Sequence, residues 1–384
     1  MGISLNRECE YKGGLLMRPY LRFMIWMVLA SCAFLINLLS QHFPDQLLRL
    51  YSNTINKWTI QGLSRLTGLV PFSIFEWLFY GLVSFLIGYI SYSFVKCFKN
   101  RRSSLTILKW MLLNLATGAA ILYVLFSLLW GLNYNRPPLA DELQLEVTEY
   151  NREQLKALIR LLSERANTTR EWVLEDENGH FTTGQHYSEI FARAPLGYFA
   201  IATEYPLLAG NYGRPKAIFA SPLMNYTFIT GIYTPFTGEA NINVATPETT
   251  LIFTTMHEMA HQRGIAHEND ANFIAFLTSV SHPDVDFQYA GYLNALSYAR
   301  SALNQIAPDK LAALNPLLSV GVINDLNYRT AFWQSYQGPV EEVMTQMNEN
   351  YLRANGVAEG VQSYGLVVDL LLAYYQEELA NYCD

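Results

Sequence analysis

Three apolar stretches in the first third of the chain restrict its possible folds more than any other feature. Leu21 to Ser40 carries one charge, Arg22, at its edge. Phe72 to Val95 carries only Glu76 and Leu105 to Leu132 only Lys109, each near one end. About twenty helical residues reach about 30 Å, the hydrocarbon thickness of a bilayer. Core helices of soluble proteins are seldom so long and so free of charge, so three transmembrane helices are expected over about 21–40, 72–95 and 105–132. Trp26, Trp77, Trp110, Trp130 and Tyr134 lie towards or beyond the ends of these stretches, as interfacial anchors do.

Charge divides the chain at the same place. Residues 1–132 hold 12 Lys and Arg against 4 Asp and Glu, whereas residues 133–384 hold 14 against 29. A basic, apolar anchor (1–132) followed by an acidic extramembrane domain (133–384) is the expected organisation. An acidic domain without a basic stripe argues against nucleic-acid binding. The short loop between the second and third spans contains Lys96, Lys99, Arg101, Arg102 and Lys109 and is expected to stay in the cytoplasm. The N-terminus is then cytoplasmic, and the first loop and everything after Leu132 extracytoplasmic. Leu29-Ala30-Ser31-Cys32 has the form of a lipoprotein cleavage box, but the apolar run continues past it, which favours an uncleaved span. The four cysteines suggest neither a disulfide framework nor a metal site.

The chemistry is concentrated in Leu251 to Phe273, whose centre, His257-Glu258-Met259-Ala260-His261, is an HExxH pentapeptide. On a helix, positions i and i+4 share a face, so two imidazoles can converge on one metal ion with Glu258 beside them as general base. Apolar Leu251, Ile252, Phe253, Met256, Met259 and Ala260 supply a packing side, and Gly264 is a C-terminal cap. A helix whose histidines merely make polar contacts is the plain alternative. A catalytic zinc usually has three protein ligands and one open position. His267 completes the HExxHxxGxxH spacing of metzincins, yet no counterpart of their methionine turn is found, Met344 and Met347 lying far downstream. The thermolysin-like solution takes a carboxylate from the first turn of a following helix, here opened by Glu268-Asn269-Asp270 ahead of the apolar run from Ala271 to Val280. Asp270 is the preferred third ligand on this reading, with His267 and then Glu268 as alternatives.

The remainder supplies a scaffold. Asn135-Arg136-Pro137-Pro138 ends the third span, and Thr148 to Arg165 reads as an amphipathic helix with Leu155, Leu158, Ile159 and Leu162 on its core side. Isolated His180 and His186 read as surface or helix-start residues. A helix interrupted near Pro195 is expected between Tyr187 and Tyr205. Short strands are expected at Ala217–Ser221, Tyr226–Tyr233 and Ala240–Val244. The last, with Asn241 and Asn243 alternating with Ile242 and Val244, is read as an exposed edge beside the motif helix, where those asparagines could meet an extended peptide. Helical patterns fill Phe287–Ile306, Pro308–Val320, Thr330–Arg353 and Gln362–Tyr382. Tyr364 and Tyr328 are candidate donors to a developing oxyanion.

The three-span anchor, TGIYTPFTGEANIN at 230–243, HEMAHQRGIAHENDANF at 257–273 and YLRANG…GVQSYG at 351–365 together resemble a bacterial family, domain of unknown function 3810, along essentially the whole chain. The resemblance implies a multi-pass cell-membrane protein with a zincin-like, HExxH metallopeptidase domain. It also implies an acidic ligand at Asp270, where this chain departs from the commoner glutamate. The expected fold is therefore a three-helix membrane anchor followed by a mainly α, α+β zincin-like domain with a small sheet. The expected cofactor is one Zn2+ and the expected partners are the lipid bilayer and peptide or protein substrates of the cell envelope. Zinc would lower the pKa of a water towards about 7, and Glu258 would take the proton. The alternative is a non-hydrolytic envelope sensor or peptide-binding module built on the same scaffold.

Overall fold

A computed structural model describes residues 3–354 and 364–382, with side chains described for 19–354 and 367–382. Three helices are long and apolar enough to cross a membrane, within Pro19–Ser40, Ile74–Lys99 and Arg101–Leu129. The third packs against both others. Most of the side chains along these helices are exposed, as lipid-facing surface requires. The first loop is helical over Pro44–Leu47, Leu48–Asn56 and Lys57–Thr67.

Beyond the spans the chain is mostly helical. The helix Arg152–Arg170 begins with a reciprocal cap between Asn151 and Gln154 and buries Leu155, Leu158, Ile159 and Leu162, the stripe expected from the sequence. It packs on Val285–Ile306, which in turn meets the motif helix Glu248–Gln262 and the helix after it, Glu268–Val280. These elements share one apolar core, into which Phe273, Phe276, Phe287 and Tyr289 are fully sunk. His186 caps the helix Tyr187–Arg193 by accepting the Ser188 N–H, and Pro195 opens a second helix to Ile201. The single helix expected over Thr330–Arg353 is two, Val320–Gln334 and Pro339–Ala354, because Gly338-Pro339 breaks the first and starts the second.

Two small sheets are present. A hairpin pairs β1 (Leu174–Glu175) with β2 (Phe181–Thr182). The second sheet has the order β3 (Lys216–Ala217), β5 (Glu239–Ile242), β4 (Gly231–Thr234), with β3 parallel and β4 antiparallel to β5. This corrects the sequence reading of the last strand. β5 is the central strand, paired on both sides, and Asn241 and Asn243 are fully buried. Their amides are used internally: Asn241 donates to the Ile232 carbonyl, and Asn243 to Asn225 Oδ1 and the Ile229 carbonyl. They are therefore not available to a substrate, and β3 and β4 are the two edge strands of the sheet. The stretch expected to begin a strand at Tyr226 instead folds as short turns of helix, Ser221–Met224 and Asn225–Thr227, opened by Pro222.

The spans and the sheet are tied by buried polar groups. Lys216 Nζ bonds Glu239 Oε1 at 2.5 Å and donates to the Thr67 and Phe72 carbonyls at 2.7 and 2.9 Å. The Glu239 carboxylate also accepts the Ile74 and Phe75 N–H groups at the start of the second span. In exchange, Glu76 of that span accepts the Phe219 and Ala220 N–H groups beside β3. Each carboxylate satisfies backbone donors that a helix or strand start would otherwise bury unpaired.

A candidate metal centre of two histidines and a glutamate

The motif helix is fixed at both ends. Glu248 in its first turn accepts the Thr183 N–H and hydroxyl at 2.6 Å, and at the far end Gly264 takes φ +78°, a conformation that costs glycine little. Tyr198 holds its middle through a 2.6 Å bond to the Met256 carbonyl. After Gly264 the chain turns back, and His267 forms the N-terminal boundary of Glu268–Val280, which packs closely on the motif helix.

That boundary decides which carboxylate faces the histidines. Glu268 is the first residue of the helix, and Asn272, four residues on, shares its face. Glu268 Oε2 lies 3.2 Å from His257 Nε2 and Oε1 lies 3.7 Å from His261 Nε2. One ligand atom from each of the three residues falls within 4.8 Å of the others. Asn272 Oδ1 meets His257 Nδ1 at 2.9 Å, and the Ile265 carbonyl meets His261 Nδ1 at 2.6 Å. A carbonyl oxygen only accepts, so each Nδ1 carries a hydrogen and each Nε2 faces the triangle, its lone pair open to a cation once the ring is neutral.

The two other third-ligand candidates lie elsewhere. Asp270 stands two residues, about 200° of helix rotation, from Glu268. It sits near Arg136 and Glu142, where burial pushes its pKa up to about 7 against the pull of Arg136. His267 bonds through Nε2 to the Tyr134 carbonyl at 3.1 Å with its ring against that of Tyr134. Burial lowers its pKa, leaving a neutral ring. The carboxylate that the structure brings to the histidine pair is thus Glu268, ranked third from the sequence, and not the preferred Asp270.

The triangle favours positive charge. Burial opposes a charged His261, but the neighbouring Glu268 carboxylate outweighs it and raises the imidazole pKa to about 9. The same histidines hold Glu268 well below the ordinary carboxylate range despite its own desolvation. Glu258 differs: burial raises its pKa, with the two histidines pulling the other way, and its Oε2 is buried with no hydrogen-bond partner. Gly231 of β4 makes room for it, since a Cβ there would stand 2.5 Å from Glu258 Oε1 and 2.7 Å from Thr254 Cγ2.

Aromatic residues that the sequence reading did not assign to the site surround the triangle. Trp130 sets its edge against His261 at 5.5 Å and packs on Tyr233 at 4.8 Å. The Tyr134 hydroxyl lies 3.0 Å from that of Tyr351, and Glu268 contributes to raising both phenol pKa values, behind the larger effect of burial. Tyr328, by contrast, is half-exposed and stacks on His180. The side chain of Tyr364 lies outside the described residues. Asn272 was findable as the i+4 partner of Glu268, and Gly231 and Tyr351 stand inside two of the blocks that carry the family resemblance. Nothing local in the sequence links Trp130 or Tyr134 to a site more than 120 residues away.

Fold and site together define a membrane-associated, mainly helical protein with a two-histidine, one-glutamate cluster outside its apolar spans. The chain belongs to the family described as a protein of unknown function, DUF3810, whose model matches residues 51–372. No curated protein and no solved structure matches it.

Proposed function

We propose that this protein is a membrane-tethered zinc metallopeptidase. The observation that carries the reading is the convergence of both Nε2 atoms and the Glu268 carboxylate beside the buried, partnerless Glu258 Oε2. Two imidazoles and one carboxylate form a donor set suited to a catalytic zinc with one open position, and both rings have the outer hydrogen bonds that orient such ligands. His257, His261 and Glu268 hold the ion, which supplies Lewis acidity towards a carbonyl and acidity to a water. Glu258, with its raised pKa, takes the proton of the attacking water and passes it to the leaving nitrogen. The outer edge of β4, adjoining Glu258 at Gly231, lets an extended peptide add as a further strand. Tyr351, whose hydroxyl accepts the Tyr134 O–H and whose pKa is raised by burial and in smaller part by Glu268, replaces Tyr328 as the candidate donor to a developing oxyanion.

The basic cluster between the second and third spans supports a cytoplasmic N-terminus and an extracytoplasmic candidate centre. The decisive experiment measures zinc content and cleavage of a diverse peptide library by the purified full-length protein. Glu258→Gln is expected to keep about one zinc per chain and to lose about 10²- to 10⁴-fold in hydrolysis. Undiminished hydrolysis in that variant, or a zinc-loaded wild type that binds peptides and cleaves none, overturns the proposal. The second outcome returns the chain to the class of binding modules.

A further inference from the structure

The metal triangle is bolted to the point where the third span leaves the membrane. The helix Ser104–Leu129 has 26 residues, about 39 Å of rise against about 30 Å of hydrocarbon. Its end, Leu129, can therefore reach the polar surface of the bilayer. Trp130, the next residue, already touches His261. Over the following few residues the Tyr134 carbonyl accepts from His267, and Arg136 Nη1 donates to the Gly264 carbonyl at 2.9 Å. These bonds fix the turn between the two histidine-bearing and glutamate-bearing helices directly on the membrane exit.

The exit is rigid. Asn56 Nδ2 donates to the Leu129 carbonyl at 2.7 Å, Ser52 Oγ donates to Asn133 Oδ1 at 2.8 Å, and Asn135 Nδ2 donates to Ser40 Oγ, at the end of the first span, at 2.7 Å. Among the described residues no stalk separates Leu129 from the centre, since Trp130 already lies against His261. Beneath it, between the first and third spans, lies a cleft of about 630 Å³ lined by Ala30, Phe34, Leu35, Tyr123, Phe126 and Gly131. Its upper end at Gly131 adjoins Trp130.

We infer that the substrate is a membrane-anchored polypeptide cut in its juxtamembrane segment, within about ten residues of the point where it enters the bilayer. This rests on the peptidase reading above. A centre held at the surface can take an extended segment continuing into lipid, and the cleft between the spans gives the apolar part of that substrate room alongside. A scissile bond held far above the membrane cannot descend to such a centre.

The test reconstitutes the full-length, zinc-loaded protein in vesicles with single-span reporters bearing one cleavable sequence on the same side. That sequence sits either directly at the span or beyond a rigid helical spacer of about thirty residues, roughly 45 Å. The same sequence is also supplied as a free peptide. Cleavage is expected to be at least tenfold faster for the span-adjacent reporter than for the spaced one, with the free peptide slower than the span-adjacent reporter. Both reporters diffuse in the same membrane, so surface concentration alone cannot produce that difference. Equal rates for both reporters overturn the inference and leave the peptidase reading standing. No cleavage of any reporter or of the free peptide overturns both.

Discussion

Glu268 and Asp270 differ by two positions and one methylene, and helical geometry sends them to different places. The first shares a face with Asn272 and reaches both Nε2 atoms; the second turns to Arg136 and Glu142. Glu268→Ala in the full-length protein is therefore expected to lose most of its bound zinc, while Asp270→Asn keeps it, as measured by metal content after dialysis. The reverse pattern would return the ligand role to Asp270. A second residue-scale prediction concerns His282, which is fully buried and stacked on Phe287 at 3.8 Å. Its Nδ1 accepts the Asp284 N–H at 2.9 Å and its Nε2 meets the Arg193 carbonyl at 3.1 Å, so it is built in as the neutral ring. Burial lowers its pKa and outweighs the Arg193 carbonyl and the Asp284 and Asp286 carboxylates, which pull it up; the Arg193 charge adds a smaller lowering. With the folded value below the unfolded one of about 6.5, the unfolded chain binds the proton first as pH falls. This contribution is complete above about pH 6.5 and is lost on descent through the lowered value. Melting temperatures between pH 8 and 5 should fall less steeply in His282→Gln than in wild type. An unchanged slope would remove His282 from the acid sensitivity.

At the scale of elements, the site depends on how close β4 comes to the motif helix, and Gly231 sets that approach. A methyl group there meets Glu258 and Thr254 well inside contact distance. Gly231→Ala is expected to displace the general base or the edge strand, lowering hydrolysis at least tenfold while zinc stays bound, because no ring nitrogen is touched. Full activity in that variant would show that the strand can move aside without consequence. The helices of this region were legible in the sequence, since their buried stripes recur with the helical period, and so was the histidine pair, set by i, i+4 spacing alone. The sheet was not. Alternation in Ala240–Val244 looks the same whether the strand is central or at an edge, and β5 is central because β3 arrives from the other side, a contact no local pattern encodes. Asn241 and Asn243 read as exposed for the same reason. The residue brought to the histidine pair lies two positions from the one preferred, because the facing of an acidic cluster depends on where its helix begins, and His267 sets that start.

At the scale of the molecule, charge and hydropathy suggested a division at residue 132, and the spans do occupy the part before it. The buried bonds cross that division. Lys216, Glu239 and Glu76 join β3, β5 and the start of the second span, and Ser64 Oγ in the first loop accepts the Gly213 N–H at 3.1 Å. The Cβ-less Gly213 and Gly238 both lie against Ser64, and Thr67 donates to the Thr237 carbonyl. The family match, from residue 51 to 372, takes in the first loop and second span together with the candidate metal centre, as a unit held by these contacts would. A fragment of residues 133–384 would leave Lys216 and Glu239 without the Thr67 and Phe72 carbonyls and the Ile74 and Phe75 N–H groups. Within the full chain, Lys216→Met removes one member of the buried pair and leaves a carboxylate that is almost completely enclosed. Breaking such a pair costs about 3–5 kcal/mol, so this variant should unfold at markedly lower denaturant than wild type, and the fragment should be protease-sensitive and poor in zinc. β5 runs from Glu239 to Ile242 beside β4, so loosening its anchor also loosens the strand facing Glu258, and hydrolysis should fall before zinc is lost. A fragment 133–384 as protease-resistant and as rich in zinc as the full chain would show that the spans merely tether the centre and do not help to build it.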